Sequence, residues 1–257
     1  MTQIGASREG VDIQSCASPE LTDPVLVEGL PGVGNVGKLV VEHLLEEGEA
    51  TLVCRILSEH FPPQVTVDRA STATLPAAEI HHVTIGDCDL LTLSGDHQAV
   101  TPMGHYRLTS AVLDIAAEFA VERVFALGGV PTGEMQETPA VIGTVSRAEI
   151  KSELEPLGVE FREQEPSGGI VGVSGLLLGI GAERDLDVAC LMGETSGYLV
   201  DPTSAQAILR ILEDAIDFSV EYERLESRAE DMEQVIRRLR EMQESSVPSG
   251  DDLRYID

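Results

Sequence analysis

Short apolar runs alternate with amphipathic segments along most of this chain. An apolar run over residues 24–27 ends in a glycine-rich turn, and residues 39–45 then place apolar side chains on one face of a helix. Further apolar runs over 51–57, 123–127 and 187–192 predict buried strands. Strands that alternate with helices predict an α/β layered sheet with its loops gathered at the strand ends.

Weaker patterns fill the stretches between these runs, and glycine and proline set their bounds. The predicted elements are an edge strand over 64–67, a hairpin of 79–85 and 89–93, a helix over 102–119, a strand over 140–145, a helix over 147–154, a strand over 159–162 and a helix over 176–180 with Ser174 as its N-cap. Residues 1–20 are polar and unpatterned, and they predict a flexible arm before a core domain over 21–200.

The pattern changes at Asp201 and Pro202, an acidic N-cap followed by proline at the first helical position. Apolar residues then recur at alternating spacings of three and four, which predicts one long helix over 201–245 with coiled-coil character. At ~1.5 Å per residue it would reach roughly 60 Å. Its second half carries a narrow seam that needs a partner helix, and this seam consists of Tyr222, Leu225, Ala229, Met232, Ile236 and Leu239. The mixed residues of the seam do not select a number of strands.

Acidic residues outnumber basic residues 45 to 17, the net charge is −28, and Lys38 and Lys151 are the only lysines. Such a chain has no basic surface with which to displace counterions from phosphate, so we exclude a nucleic-acid binder. An anionic membrane surface is disfavoured for the same reason. Abundant acids with almost no lysine resemble the cytosolic proteins of halophiles that accumulate salt, in which charge repulsion is screened.

The cysteines and the apolar runs indicate a cytoplasmic protein. Cys16, Cys54, Cys88 and Cys190 are scattered without a Cys-x-x-Cys pair, which favours buried thiols over disulfides or a zinc site. No apolar run is long enough to span a bilayer, and the polar start of the chain does not resemble a signal peptide.

The glycine-rich turn matches a dinucleotide-binding fingerprint. Gly32, Gly34 and Gly37 have the spacing Gly-x-Gly-x-x-Gly between a predicted strand and a predicted helix. Glu59 follows the next predicted strand, where an acid that contacts a ribose is expected. The alternative is that these glycines only allow a sharp turn and close packing of the helix on the sheet.

The same turn also matches part of a phosphate-binding P-loop. Gly32, Gly37 and Lys38 fit the pattern Gly-x-x-x-x-Gly-Lys, but Leu39 replaces the serine or threonine that would hold Mg²⁺. A nucleotide- or nucleoside-binding enzyme or sensor that uses residues 32–38 is therefore the alternative function, and calorimetry with ATP, NAD and nucleosides separates it from the others.

A serine hydrolase is disfavoured. Ser174 lies in a sequence close to the nucleophile elbow Gly-x-Ser-x-Gly, but Leu176 stands where the last glycine belongs. The last histidine of the chain is His105, far upstream, so the hydrolase order of the triad is missing. We predict no catalytic residues.

A metal site is also disfavoured. His81 and His82 lie near Asp87 and Asp89 in the sequence. Adjacent residues of a strand point to opposite faces of the sheet, so these histidines cannot easily share one ion. We expect neither a metal nor a cofactor.

Taken together, the loops resemble the archaeal branch of the proteasome assembly chaperone 2 family. The resemblance covers about residues 22–245 and depends on several independent motifs in a fixed order. They are Gly-Leu-Pro-Gly-Val-Gly-Asn-Val-Gly-Lys over 29–38, Gly-Asp-His-Gln over 95–98, Gly-Gly-Val-Pro-Thr-Gly over 128–133, Gly-Leu-Leu-Leu-Gly over 175–179 and Gly-Glu-Thr over 193–195.

The resemblance implies a three-layer α/β/α fold with a mostly parallel sheet, related to nucleoside phosphorylases but without their catalytic residues. It also implies a homo-oligomer, from trimer to pentamer, and ATP-independent binding to 20S proteasome α-subunits or to the α-ring. A purely structural coiled-coil oligomer is a further interpretation of the long helix.

Some members of the family dock through a C-terminal hydrophobic–Tyr–X hook, and residues 246–257 resemble a flexible tail of this kind. The hook candidates are Leu253, Tyr255, Ile256 and Asp257. Tyr255 is third from the end rather than second, and Arg254 precedes it where an apolar residue belongs. One additional residue moves the terminal carboxylate by ~3.5 Å. The other interpretation is a frayed polar tail with one aromatic residue.

Overall fold

The computed structural model describes residues 10–134, 136–163, 166, 168–230 and 232. Its centre is a nine-stranded sheet with the strand order β1-β3-β6-β7-β2-β8-β11-β9-β10, and β4 and β5 form a separate small hairpin. The strands are β1 (Val11–Ser15), β2 (Val25–Glu28), β3 (Glu49–Ser58), β4 (Thr66–Val67), β5 (Ala73–Thr74), β6 (Ala78–Ile85), β7 (Cys88–Gly95), β8 (Arg123–Pro131), β9 (Val141–Val145), β10 (Val159–Glu160) and β11 (Asp187–Thr195).

Helices connect these strands. They are α1 (Val36–Glu47), α2 (Pro102–Glu118), α3 (Ala148–Leu154), α4 (Val173–Glu183) and α5 (Pro202–Ile216), and short 3₁₀ turns precede α1 (Val33–Asn35) and follow α3 (Glu155–Leu157). Among the described residues, no helix is both long enough and apolar enough to cross a membrane.

The strands at the centre of the sheet are parallel, as the sequence predicts. β2 pairs in parallel with β7 and β8, and β8 pairs in parallel with β11. Antiparallel pairs flank this centre on both sides, so the sheet as a whole is mixed. The four parallel strands end at one edge, which we call the carboxyl edge. β3 ends there too, because two antiparallel pairings separate it from β7.

Helices cover both faces of the sheet. α2 and α4 pack with one buried apolar cluster, whereas α1, α3 and α5 pack with the other. Neighbouring residues of one strand supply opposite clusters, as Leu26 and Val27 do, because successive side chains of a strand point to opposite faces. The chain therefore forms the three layers that the resemblance implies.

Strand β1 corrects the prediction of a flexible arm over residues 1–20. Residues 11–15 pair with β3 in antiparallel fashion, and Val11 is buried. Val11 and Ile13 alternate with Asp12 and Gln14, which is the pattern of a half-buried strand, but five residues are too few for this pattern to be distinctive. Residues 1–9 lie outside the described part of the chain.

The helix predicted over 201–245 is not continuous, and its part over 233–245 lies outside the described residues. α5 begins as predicted, because the Asp201 carboxylate accepts a hydrogen bond from the Ser204 amide at 3.0 Å. It ends at Ile216, since Asp217 adopts a left-handed conformation with φ of 66°. Residues 218–222 are not helical, and a helical stretch over 223–230 follows.

Two residues of the predicted oligomer seam pack against their own subunit. Leu225 is fully buried in the apolar cluster that contains α1 and α5, and Tyr222 packs against the same cluster. The Tyr222 hydroxyl also donates a hydrogen bond to the Glu213 carboxylate. Apolar periodicity has the same form whether a helix packs on its own domain or on a partner. Ala229 and Met232 are partly buried, while Ile236 and Leu239 lie outside the described residues.

Ion pairs attach the helical stretch 223–230 to α1. Arg224 Nη1 lies 3.4 Å from Glu46 Oε2 and its Nε lies 3.6 Å from Glu47 Oε1. Arg228 lies 2.8 Å from Glu46 and 3.8 Å from Glu42. The contacts move toward the start of α1 as the stretch proceeds, so the two segments are antiparallel and the chain leads back toward the carboxyl edge.

The packing of Leu225 predicts the effect of its truncation. Leu225→Ala is expected to lower the unfolding free energy by about 2 kcal/mol, because it leaves a cavity against α1. Denaturant unfolding measures this effect, and Glu226→Ala on the exposed side of the same stretch is the matched control. Unchanged stability together with a smaller molecular mass would show instead that Leu225 belongs to an interface between subunits.

Candidate functional site

The loops that follow the parallel strands meet at the carboxyl edge. The side chain of Gln98, after β7, donates a hydrogen bond from Nε2 to the Pro31 carbonyl at 2.7 Å. The amide of Thr132, after β8, donates to the Thr195 carbonyl of β11 at 2.8 Å. The structure therefore brings together four of the motifs that carry the family resemblance. The fifth, over residues 175–179, lies within α4.

Two glycines allow the turn after β2 to touch β8 and β11. A Cβ atom on Gly129 would lie 2.5 Å from the Val33 carbonyl oxygen. Gly34 has a φ of 64°, and a Cβ atom there would lie 2.8 Å from the Thr195 hydroxyl oxygen. The Gly34 carbonyl accepts a hydrogen bond from the Asp201 amide at 2.9 Å. These glycines bring the backbone close to other parts of the same chain, where a dinucleotide site would leave room for pyrophosphate.

The start of α1 is packed in the same way. A Cβ atom on Gly37 would lie 2.5 Å from the Leu127 carbonyl oxygen of β8, and one on Gly29 would lie 2.2 Å from the Gly37 carbonyl oxygen. Lys38 Nζ lies 3.5 Å from Asp96 and 3.7 Å from Glu42, so two carboxylates already face its charge. The alternative of a nucleotide site over residues 32–38 is therefore not favoured.

Glu59 does not take the position of a ribose-binding acid. β7 and β6 separate β3 from β2, so this residue follows a strand roughly 14 Å from the glycine turn at about 4.8 Å per strand. Its carboxylate lies 3.6 Å from Arg107 Nη1. The expectation from sequence spacing was wrong, because a hairpin inserts two strands between the acid and the turn.

A buried carboxyl group lies beneath the glycine turn. Glu28 is fully buried at the end of β2, where its Oε1 accepts from the Leu30 amide at 3.0 Å. Its Oε2 accepts from the Ser174 hydroxyl at 2.8 Å. Burial raises the pKa of Glu28 to about 7, and these hydrogen bonds oppose the rise. Sequence patterns do not reveal this pair, because 146 residues separate its members.

Ser174 is not the N-cap that the sequence predicts. α4 begins at Val173 with Gly172 as its N-cap, so Ser174 lies inside the first turn. Its hydroxyl joins α4 to β2 through Glu28 rather than capping the helix.

The histidines make ordinary pairs with neighbouring acids. His82 Nε2 lies 2.7 Å from Asp89 Oδ1, and His81 Nε2 lies 3.8 Å from Glu79. Over the part of the chain that the structure describes, no three His, Cys, Asp or Glu side chains are grouped so that they could hold a metal ion.

The model of the PAC2 family matches residues 26–240. The chain belongs to the PAC2 family. This finding confirms the resemblance that the glycine motifs indicate. An uncharacterized protein of Methanocaldococcus jannaschii is 35% identical over 243 residues, which cover 92% of this chain and 93% of the relative.

Two solved structures resemble the chain over most of its length. The crystal structure of Pyrococcus furiosus PbaB, an archaeal proteasome activator, has a TM-score of 0.84 and 33% identity, and the match covers 91% of this chain and all of PbaB. Pyrococcus furiosus PbaA, an archaeal homolog of proteasome-assembly chaperone, has a TM-score of 0.76 and 27% identity, and the match covers 93% of this chain and 94% of PbaA.

The structure does not test the tail residues that the sequence suggests as a hook. Leu253, Tyr255, Ile256 and Asp257 lie outside the described residues. The hook therefore stays a prediction.

Proposed function

We propose that this PAC2-family protein is an ATP-independent assembly chaperone or adaptor of the proteasome, which binds 20S proteasome α-subunits or the α-ring. The observation that carries the proposal is the TM-score of 0.84 over the whole of PbaB, an archaeal proteasome activator, at 33% identity. The likeness to PbaA, an archaeal homolog of proteasome-assembly chaperone, supports the same conclusion.

The carboxyl edge supports a role in protein binding rather than in catalysis. Its glycines bring backbone segments of the same chain into contact, and acids already neutralise Lys38. Ser174 donates to a buried carboxyl group, and this arrangement orders α4 against β2. We infer that the protein works without a nucleotide and without a metal.

The C-terminal tail is the proposed contact with the proteasome. Tyr255 would enter a pocket as an aromatic anchor, flanked by Leu253 and Ile256, while the terminal carboxylate of Asp257 would be captured by backbone amides or cations. A homo-oligomer, from trimer to pentamer, would present several tails to one ring. This multivalency raises the effective concentration of each weak hook.

Deletion of residues 251–257 tests the proposed contact. We expect the full chain to co-purify with purified 20S α-rings at high salt, and the deletion to weaken that binding by at least about tenfold. Tyr255→Ala is expected to reproduce most of the loss, because it removes only the aromatic anchor.

Arg254→Ala is the matched control, since it changes a neighbouring side chain that the hook does not use. Binding by the full chain that survives the deletion would remove the tail from the mechanism. Failure of the full chain to bind would contradict the proposed function itself.

A further inference from the structure

Exposed apolar side chains gather at the carboxyl edge. We define the apolar rim as Val33, Val100, Met103, Tyr106, Val171 and Tyr198, all of which are exposed. Val33 follows β2, the next three follow β7 and open α2, Val171 precedes α4, and Tyr198 follows β11. Val171 and Tyr198 are 84% and 86% exposed. Large apolar side chains this open to water mark an interaction surface when they lie side by side.

The contacts between the loops place Tyr198 and Val171 on either side of the glycine turn. A Cβ atom on Gly197, next to Tyr198, would lie 3.8 Å from a Val33 methyl carbon. On the other side, a Cβ atom on Gly172, next to Val171, would lie 2.7 Å from Gln98 Oε1. Gln98 in turn bonds the glycine turn through the Pro31 carbonyl. Tyr198 and Val171 thus flank the turn, and Val33 lies at its tip.

An apolar cleft of about 840 Å³ extends the rim along the edge of the sheet. It is lined by Phe61, Pro62, Pro63, Val65, Leu75 and Pro76, and β1 forms one of its walls. It lies beside the start of α2, because the Val100 amide donates to the His60 carbonyl at 2.8 Å. A cleft of this volume can accept side chains from a partner.

The exposed charges on the loops around the rim are acidic. These loops carry the exposed acids Asp96, Glu134 and Glu137 and contain no lysine or arginine. The cations nearby already face carboxylates, since Lys38 lies 3.5 Å from Asp96 and Arg107 lies 3.6 Å from Glu59. An apolar surface surrounded by carboxylates is complementary to an apolar surface surrounded by lysine and arginine. Two copies of this chain would bring the same exposed acids of this surface together, so the surface favours a basic partner over a second copy.

The direction of the C-terminal segment points to the same edge. Residues 223–230 run antiparallel to α1 and lead toward its first turn, which lies at the carboxyl edge. Residues 233–257, which contain the proposed hook, follow this segment in the sequence.

We propose that the apolar rim is a second docking surface, and that its occupant is a protein surface that combines apolar side chains with surrounding lysines and arginines. This inference rests on the proposed function, which makes that occupant the α-ring of the 20S proteasome. The rim binds the ring directly, and the proposed tail contact adds affinity.

A pair of charge substitutions tests the rim. Val171→Glu with Tyr198→Glu introduces two carboxylates at the two most exposed positions of the rim. Because both side chains lie in solvent, we expect the double variant to fold normally. The double variant is expected to bind purified 20S α-rings at least about tenfold more weakly than the unmodified chain. Thr51→Glu with Ser152→Glu is the control, because it adds the same charge at exposed positions near the opposite edge of the sheet and is expected to leave binding unchanged.

The molecular mass of each variant, measured by light scattering, separates the possible occupants. A weakened affinity with an unchanged mass supports the proposal. A changed mass would identify the rim as an interface between copies of this chain and overturn it. If the double variant binds with unchanged affinity, the rim is not a docking surface, although the proposed function still stands. If the unmodified chain does not bind the α-rings, both proposals are contradicted.

Discussion

Replacement of Gly37 by valine is expected to lower the unfolding free energy by about 4 kcal/mol or to prevent folding. A Cβ atom at this position would lie 2.5 Å from the Leu127 carbonyl oxygen and 2.9 Å from the Leu127 Cβ atom. Both obstacles belong to β8 at the centre of the sheet, so α1 would have to move outward. That movement would also disturb Gly29, which lies against the Gly37 carbonyl.

Gly179→Ala is the matched control for this prediction. Gly179 is also helical, but nothing lies within 4 Å of a Cβ atom at that position. Alanine there is expected to stabilise the protein by about 0.5–1 kcal/mol, because it restricts the unfolded chain. Denaturant unfolding of both variants in high salt measures the two effects. A Gly37→Val variant as stable as the unmodified chain would mean that α1 is not seated against β8.

Raising the pH from about 5 to about 8 is expected to lower the contribution of Glu28 to the unfolding free energy by about 3 kcal/mol. The pKa of this carboxyl group is raised from 4.5 to about 7 in the folded protein, mainly by burial. Between these two values the folded state holds a proton that the unfolded state releases. Glu28 therefore makes its full contribution to the unfolding free energy below about pH 4.5. This contribution is lost as the pH rises through about 7.

Glu28→Gln isolates this effect, because its oxygen can still accept from the Leu30 amide, its NH2 group can donate to the Ser174 hydroxyl oxygen, and the side chain no longer titrates. The difference in unfolding free energy between the variant and the unmodified chain is expected to shift in favour of the variant as the pH rises. Glu183→Gln, at an exposed position of α4, is the control. Parallel pH profiles for the Glu28 variant and the unmodified chain would contradict a protonated Glu28.

Local patterns predicted most of the central elements of the fold. The strands over 123–127 and 187–192 and the helix over 102–119 were found because each has its own apolar spacing. β1 was missed because its apolar pattern is too short to predict a strand by itself. The strand forms by pairing with β3, which is distant in sequence. The end of α5 was missed because the apolar spacing continues past Asp217, although Tyr222 and Leu225 satisfy it by packing on their own domain.

The sequence predicted which loops form the candidate site, but it did not predict how these loops contact one another. The glycines of residues 32–37 have the same spacing in a nucleotide site and in a turn packed against its own sheet. What distinguishes the two is the identity of the neighbours, and here Thr195 and the Leu127 backbone occupy the space. The pairing of Glu28 with Ser174 likewise depends on α4 crossing the end of β2.

The ion pairs between α1 and residues 223–230 have a consequence for where the C-terminal part of the chain begins. Because this protein has 17 basic residues for 45 acidic ones, few cations are available to hold two acidic segments together. The guanidinium groups of Arg224 and Arg228 lie beside Glu42, Glu46 and Glu47 of α1. Loss of either arginine would leave acids of α1 with one cation fewer, so two side chains determine how firmly this segment is held and where the chain leaves α1.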